Sequence, residues 1–186
     1  MKRLFDLVLT LIAFAILALP LCLIALAIKI SSKGPVLYWS DRVGKNNRNF
    51  SMPKFRSMRT DTPALATHLL TRPEQYLTPI GSFIRKTSLD EVPQLWSIFR
   101  GEMSFVGPRP ALFNQHDLVD LRTQHGVHTL VPGLTGWAQI NGRDELSIED
   151  KVRFDAEYLL RGSIAMDIKI LWRTFTQVSR RQGVAH

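Results

Sequence analysis

From Leu7 to Ile28 the chain runs 22 residues without a charge, LVLTLIAFAILALPLCLIALAI. As one helix that stretch rises about 33 Å, enough to cross a hydrocarbon core. A secretory leader shares the basic start, here Lys2 and Arg3, but no small-x-small cleavage pattern follows. Cys22, the single cysteine, lies inside the run, so no disulfide framework and no multi-cysteine zinc site can form within the chain. Pro20 removes a backbone donor and crowds the preceding turn, which predicts a kink or break near residues 17–19. Cations flank the run on both sides, Lys2 and Arg3 before it, Lys29 and Lys33 after it. That symmetry gives a straight span no orientation, and it is what a helix that enters, bends at Pro20 and returns to the same face requires. Broken backbone inside hydrocarbon must find partners in protein or water, so a re-entrant hairpin needs the rest of the chain beneath it. A kinked transmembrane helix and a re-entrant hairpin both satisfy these residues.

The 186 residues suit one compact domain with a small second element. With 24 Lys and Arg against 16 Asp and Glu, the net charge of +8 calls for an anionic partner: a lipid surface, a nucleotide, a phosphorylated ligand or nucleic acid. The positive charge is densest from Asp41 to Asp61, where Arg42, Lys45, Arg48, Lys54, Arg56 and Arg59 are interleaved with Phe50, Met52 and Phe55. Such a run either coats a domain against headgroups or gathers phosphates in a cleft. Arg42 beside Val43, and Arg56 beside Phe55, are the better anion ligands because apolar neighbours are buried neighbours. Val36–Trp39 reads as a strand after the Gly34-Pro35 turn, and Gly44 with Asn46-Asn47 marks another turn. A short helix is expected over Ala64–Leu70, before Pro73.

Against this background the stretch Ser88-Leu89-Asp90-Glu91-Val92-Pro93-Gln94-Leu95-Trp96 places two acids side by side. Ser88 with Glu91 three residues later, and Leu89, Val92, Trp96 and Phe99 at helical spacing, form the pattern of a capping box at a helix start. Acids there meet unpaired N–H groups and the helix dipole. Arg85 and Lys86 precede the pair, and Gly107-Pro108-Arg109-Pro110 follows the helix with an arginine fixed between prolines. A carboxylate held among cations can attack phosphorus or hold Mg²⁺, which prefers carboxylate and phosphate oxygens.

Lys-x-Ser-Leu-Asp-Glu-x-Pro-Gln-Leu-Trp, followed by Gly-Glu-Met-Ser-Phe-Val-Gly-Pro-Arg-Pro, resembles the bacterial sugar transferases, small monotopic phosphoglycosyl transferases, from the apolar amino segment through Asp167-Ile168-Lys169-Ile170-Leu171. The resemblance implies transfer of a sugar 1-phosphate from a UDP-sugar to undecaprenyl phosphate at the cytoplasmic face of the bacterial inner membrane, with release of UMP and a requirement for Mg²⁺. It implies a re-entrant helix broken at Pro20, Asp90 as nucleophile through a covalent phosphosugar intermediate, Glu91 as its metal-associated partner, and Arg109 in the active site. Arg85 and Lys86 form the basic approach to the pair, and Arg42, Lys54 and Arg56 are the further phosphate ligands. Glu91 can close the capping box or bind metal; metal is favoured, since Ser88 alone can satisfy the cap. In Pro-Gly-Leu-Thr-Gly-Trp-Ala-Gln, residues 132–139, continuing to Gly142 and Arg143, the resemblance puts a glycine and an arginine near the nucleotide or phosphate, and the glycines allow close backbone approach to a ligand. Asp144, Asp41 and Asn47 depart from the residues frequent at those positions and leave the role of Asp144 in doubt.

His116, His125 and His128 have no acidic partner at ligand spacing and read as surface or locally bonded residues. Two helices are expected over Ile148–Leu160 and Ile164–Arg180, the last divided between core packing and the membrane interface. The expected fold is α+β and mostly helical, with residues 1–33 a membrane-embedded re-entrant hairpin and 34–186 a cytosolic catalytic domain bearing interfacial amphipathic helices. Its length suggests the minimal catalytic form of the family, with downstream glycosyltransferases as further partners. Two rivals stand. One is a noncatalytic, membrane-anchored basic module for anionic lipid or nucleic acid, although no helix-turn-helix, zinc or RNA-recognition pattern points to nucleic acid. The other is a polyprenyl phosphate glycosyltransferase, which would release UDP. The identity of the sugar is not written in these residues.

Overall fold

A computed structural model describes residues 1–63, 73–142 and 145–179. The helices are α1 (Lys2–Ser31), α2 (Gly81–Lys86), α3 (Leu95–Arg100), α4 (His116–Gln124), α5 (Trp137–Ile140), α6 (Ile148–Arg161) and α7 (Ile164–Ser179). The strands are β1 (Leu37–Val43), β2 (Asn49–Phe55), β3 (Ser104–Val106), β4 (Ala111–Leu112) and β5 (Gly133–Thr135). An antiparallel sheet runs β2-β1-β4, and β3 pairs in parallel with β5. The chain is therefore mostly helical with two small sheets.

Helix α1 is the one helix among the described residues long and apolar enough to cross a membrane. It is continuous through Pro20, where a kink or break was expected, and Leu17 and Leu21 on either side both pack against the domain. One stripe of α1 faces the protein along its whole length. Ala13, Phe14 and Leu17 meet the cluster of Met52, Leu95, Ile98 and Met103, while Ile28 is fully buried with Phe55 and Ile84. The opposite stripe, including Leu4, Leu11, Ile16, Leu23 and Ile30, is exposed. Polar groups fasten both ends. Lys2 Nζ donates to Asp167 Oδ2 at 2.6 Å, and Arg3 donates to the carbonyls of Ile98 and Phe99 that end α3. Buried Asp6 accepts from Ser104 Oγ and the Phe105 N–H at 3.0 and 3.1 Å. At the other end Arg56 donates to the Ser32 carbonyl and hydroxyl at 3.0 and 2.9 Å, and to the Lys33 carbonyl.

The expected strand at Val36–Trp39 extends to Val43 as β1, which pairs with β2 from Leu37 opposite Phe55 to Val43 opposite Asn49. Asn46 and Asn47 turn the hairpin at φ 54° and 58°, a region asparagine tolerates. Pro53 sits in β2, an edge strand where its missing N–H breaks no ladder. The helix expected over Ala64–Leu70 lies outside the described residues.

The Pro-Gly-Leu-Thr-Gly segment plays a different part from the one expected of its glycines. The Gly107 N–H donates to the Thr135 carbonyl and the Gly133 N–H to the Pro108 carbonyl, both at 2.9 Å. A Cβ on Gly133 would collide with the backbone of Gly107, and one on Gly136 with the Gly107 carbonyl. These two glycines let the loop behind Arg109 pack against its neighbour, backbone on backbone. The two carboxyl-terminal helices form as expected. Ser147 Oγ caps α6 by accepting from the Asp150 N–H at 3.0 Å. In α7, Asp167 and Ile170 are buried, while Ile168, Trp172 and Phe175 face outward.

Candidate active site

The Asp90–Glu91 pair does not open an α-helix. Ser88 adopts the left-handed conformation at φ 55° and makes no side-chain cap, so the expected capping box is not built. Leu89–Gln94 forms a 3₁₀ helix that contains Pro93, and α3 begins only at Leu95. At three residues per turn, neighbouring side chains diverge by about 120°. Asp90 and Glu91 thus enter different surroundings although they are adjacent in sequence.

Glu91 Oε1 accepts from Lys54 Nζ and Arg109 Nη2, each at 2.9 Å. Burial pushes this carboxyl up, but Arg109 and Lys54 outweigh it and hold the group well below the usual carboxylate range. Asp90 makes no side-chain hydrogen bond among the described residues. Burial raises it to about 6 against the pull of Lys54, with the charge of Glu91 adding to the rise and Arg85 and Arg109 opposing it. The pair is therefore divided into one carboxylate locked as an anion and one that burial makes costly to ionise.

Arg42 reaches the same place from β1. Its Nε donates to Ser40 Oγ at 3.0 Å and its Nη1 to the Pro110 carbonyl at 3.3 Å. Burial and the facing charge of Arg109 lower it to about 10, so it stays a cation at neutral pH. Two guanidiniums that repel each other beside a lysine form a site that gains from an incoming phosphate.

The structure thus brings together Asp90, Glu91, Arg109, Lys54, Arg42 and Arg85. Arg56 is elsewhere, its guanidinium donating to Ser32 and Lys33 just past α1, and Lys86 is an exposed residue in the last turn of α2. Gly142 takes φ 146° after α5, with a Cβ there running into Leu146, and Arg143 and Asp144 lie outside the described residues. His116 and His125 are exposed. Sequence reasoning missed Arg122, which donates to the Arg109 carbonyl, and Asp155, which accepts from Arg122; neither carries a local motif.

Among the described residues no group of three or more His, Cys, Asp or Glu gathers to hold a metal ion. Within the cluster, the carboxylate oxygens not already bonded to Lys54 or Arg109 are those of Asp90 and the remaining oxygen of Glu91. That set fits Mg²⁺, which binds through one or two carboxylates and completes its shell with water and phosphate oxygens.

The bacterial sugar transferase profile matches residues 1–181. An undecaprenyl-phosphate glucose phosphotransferase of Komagataeibacter xylinus is 46% identical over 184 residues, 93% of this chain and 35% of the relative. A UDP-glucose:undecaprenyl-phosphate glucose-1-phosphate transferase of Escherichia coli K12 is 39% identical over 181 residues, 94% of this chain and 39% of the relative. The chain thus spans well under half the length of these two relatives. It covers 87% of the exopolysaccharide production protein ExoY of Sinorhizobium fredii, at 35% identity over 198 residues. With a match that extends from α1 to the end of α7 and takes in the whole carboxylate and cation cluster, the chain belongs to the bacterial sugar transferase family.

Proposed function

We propose that the protein transfers a sugar 1-phosphate from a UDP-sugar to undecaprenyl phosphate in two displacements. The observation that carries this reading is the division of labour at 90 and 91: a half-buried carboxylate with no side-chain hydrogen bond among the described residues, beside one tied down by Lys54 and Arg109. In the first displacement an Asp90 oxygen attacks the sugar-bearing phosphorus, the bond from that phosphorus to the bridging oxygen breaks, and UMP leaves with the electron pair. In the second, an oxygen of the polyprenyl phosphate attacks the same phosphorus and the aspartyl oxygen leaves, regenerating the carboxylate. Lys54, Arg42, Arg85 and Arg109 take up the negative charge on the phosphoryl oxygens, and Glu91 keeps Lys54 and Arg109 in place. Mg²⁺, bound through the carboxylate pair, would supply further charge neutralisation at the diphosphate.

The acceptor is a membrane lipid, and we read α1 as re-entrant in the sense that both its ends lie on one side of the membrane, although the helix runs unbroken through Pro20, with the catalytic domain on the cytoplasmic face. Supporting this, Lys2, Arg3 and Asp6 at one end of α1 and Ile28 and Ser32 at the other contact the same domain, while the outer stripe is apolar. Phe83, Trp96, Phe99, Trp172 and Phe175 add exposed aromatic surface of the kind favoured at a membrane interface.

The test is nucleotide release by the detergent-solubilised protein with Mg²⁺ and undecaprenyl phosphate. UDP-glucose is tried first because relatives are named for it, followed by other UDP-sugars. UMP formation, lost in Asp90→Asn, is expected; release of UDP, or turnover that survives in the variant, overturns the mechanism. Cysteines placed at Lys2 and at Lys33 should both label only from the cytoplasmic side. Labelling of one from the opposite side excludes the re-entrant topology.

A further inference from the structure

Arg109 stands in a tripeptide whose three carbonyls are each held by a different element. The Pro108 carbonyl accepts from the Gly133 N–H at 2.9 Å, that of Arg109 from Arg122 Nη1 at 2.8 Å, and that of Pro110 from Arg42 Nη1 at 3.3 Å. The prolines fix their own φ angles, and the carbonyl grips fix the peptide planes between them. Of the three donors, one is backbone and one is a member of the cation cluster. Arg122, from α4, lies outside the cluster and reaches it only through this carbonyl.

Arg122 is itself held. Its Nε and Nη2 donate to Asp155 Oδ2 at 3.0 and 2.7 Å, and Asp155, from α6, is 0% exposed. Asp155 Oδ1 has no partner. A buried ion pair with one bare oxygen contributes little net stability, and apolar residues of similar volume commonly replace such pairs at no loss. What an apolar replacement cannot do is donate to the Arg109 carbonyl.

We propose that Arg122, clamped by Asp155, is a positioning residue for phosphosugar transfer: it fixes the Arg109 backbone so that the guanidinium meets Glu91 and the incoming phosphate. This rests on the transferase reading above. The series runs from Asp155 through Arg122 to the Arg109 carbonyl, and from the Arg109 guanidinium to Glu91 and Lys54, with every link between 2.7 and 3.0 Å.

The test replaces the pair together, Arg122→Met with Asp155→Leu, in the full chain, because either single change strands a buried charge. The thermal midpoint should stay within a few degrees of the parent. Turnover should fall on the order of 10²-fold, the loss expected when a contacting group shifts by about 1 Å. Adding Arg109→Ala to the double variant should cost less than about threefold more, since both changes act through one contact. A purely structural pair predicts parent-level turnover in the double variant, and independent roles predict losses that multiply; either result overturns the proposal. Nitrogen-15 NMR of the Arg109 Nε–H, assigned through Arg109→Lys, needs no turnover. The signal should be sharp in the parent and averaged in the double variant, and an unchanged signal overturns the proposal. If the parent releases no UMP from any UDP-sugar, the transferase reading fails while the NMR comparison still decides whether Arg122 positions Arg109.

Discussion

Replacing Asp90 by Asn should stabilise the protein while abolishing turnover. Folding moves this carboxyl from 3.8 to about 6, chiefly by burial. A group raised in this way binds its proton more tightly when folded, so its ionisation opposes folding above the folded value and costs nothing below the unfolded one. With each pH unit equivalent to about 1.4 kcal/mol, the cost reaches about 3 kcal/mol at pH 7. It shrinks steadily as the pH falls toward 4. Asparagine carries no such charge. Urea unfolding of parent and variant in the same detergent, followed by tryptophan fluorescence from pH 4 to 7.5, should show curves that nearly coincide at the acid end and separate toward neutrality. A variant less stable than the parent at pH 7, or a difference that does not change with pH, would refute the account of Asp90 as a carboxylate with no hydrogen-bond partner among the described residues.

The neighbouring residue should behave oppositely: Glu91→Gln leaves Lys54 and Arg109 without their shared anion and should cost about 2–3 kcal/mol in the same unfolding assay. Parent turnover should decline as pH falls through about 6, as Asp90 takes up a proton, and an acid limb near 4 would contradict the raised value. Gly136→Ala should drive the Gly107 carbonyl away and lower turnover at least tenfold although residue 136 lies behind the Arg109 loop; unchanged kinetics would show that the loop tolerates the shift. Asp6→Ala removes the acceptor for Ser104 Oγ and the Phe105 N–H and should destabilise the fold by about 1–3 kcal/mol. Proteolysis between α1 and β1 should quicken in that variant while its partition into detergent stays unchanged.

Features confined to a few consecutive residues were legible in the sequence. The uncharged run became α1, the Asn46-Asn47 turn closed the hairpin, and Asp90-Glu91 and Arg109 met in one site. What failed depended on partners far along the chain. Ser88 and Glu91 fit a capping box by spacing, but Lys54 and Arg109, 37 and 18 residues away, offer Glu91 charge that a helix start does not. Arg56, next to Phe55, read as an anion ligand, and its guanidinium instead donates through both terminal nitrogens to Ser32 and Lys33, just past α1. Glycines 133 and 136 signalled close approach, which was right, but one sequence cannot say whether ligand or backbone comes near. Arg122 and Asp155 are separated by 33 residues and belong to ordinary amphipathic helices, so nothing local distinguished them from surface charges.

The fastening of α1 at its amino end also sets an order of assembly. Asp6 waits for Ser104 and Phe105, and Lys2 for Asp167, a separation of 165 residues. At roughly 5–20 residues per second, that interval is about 8 to 33 s of translation. For part of it the apolar helix is outside the ribosome while Asp167 is still unmade. A nascent chain in this condition needs a lipid surface or a chaperone to cover α1, and the catalytic domain closes onto a helix already sheltered there. Stalled chains ending before Asp167 should therefore retain their hold on the membrane yet lack the protease resistance of the finished protein.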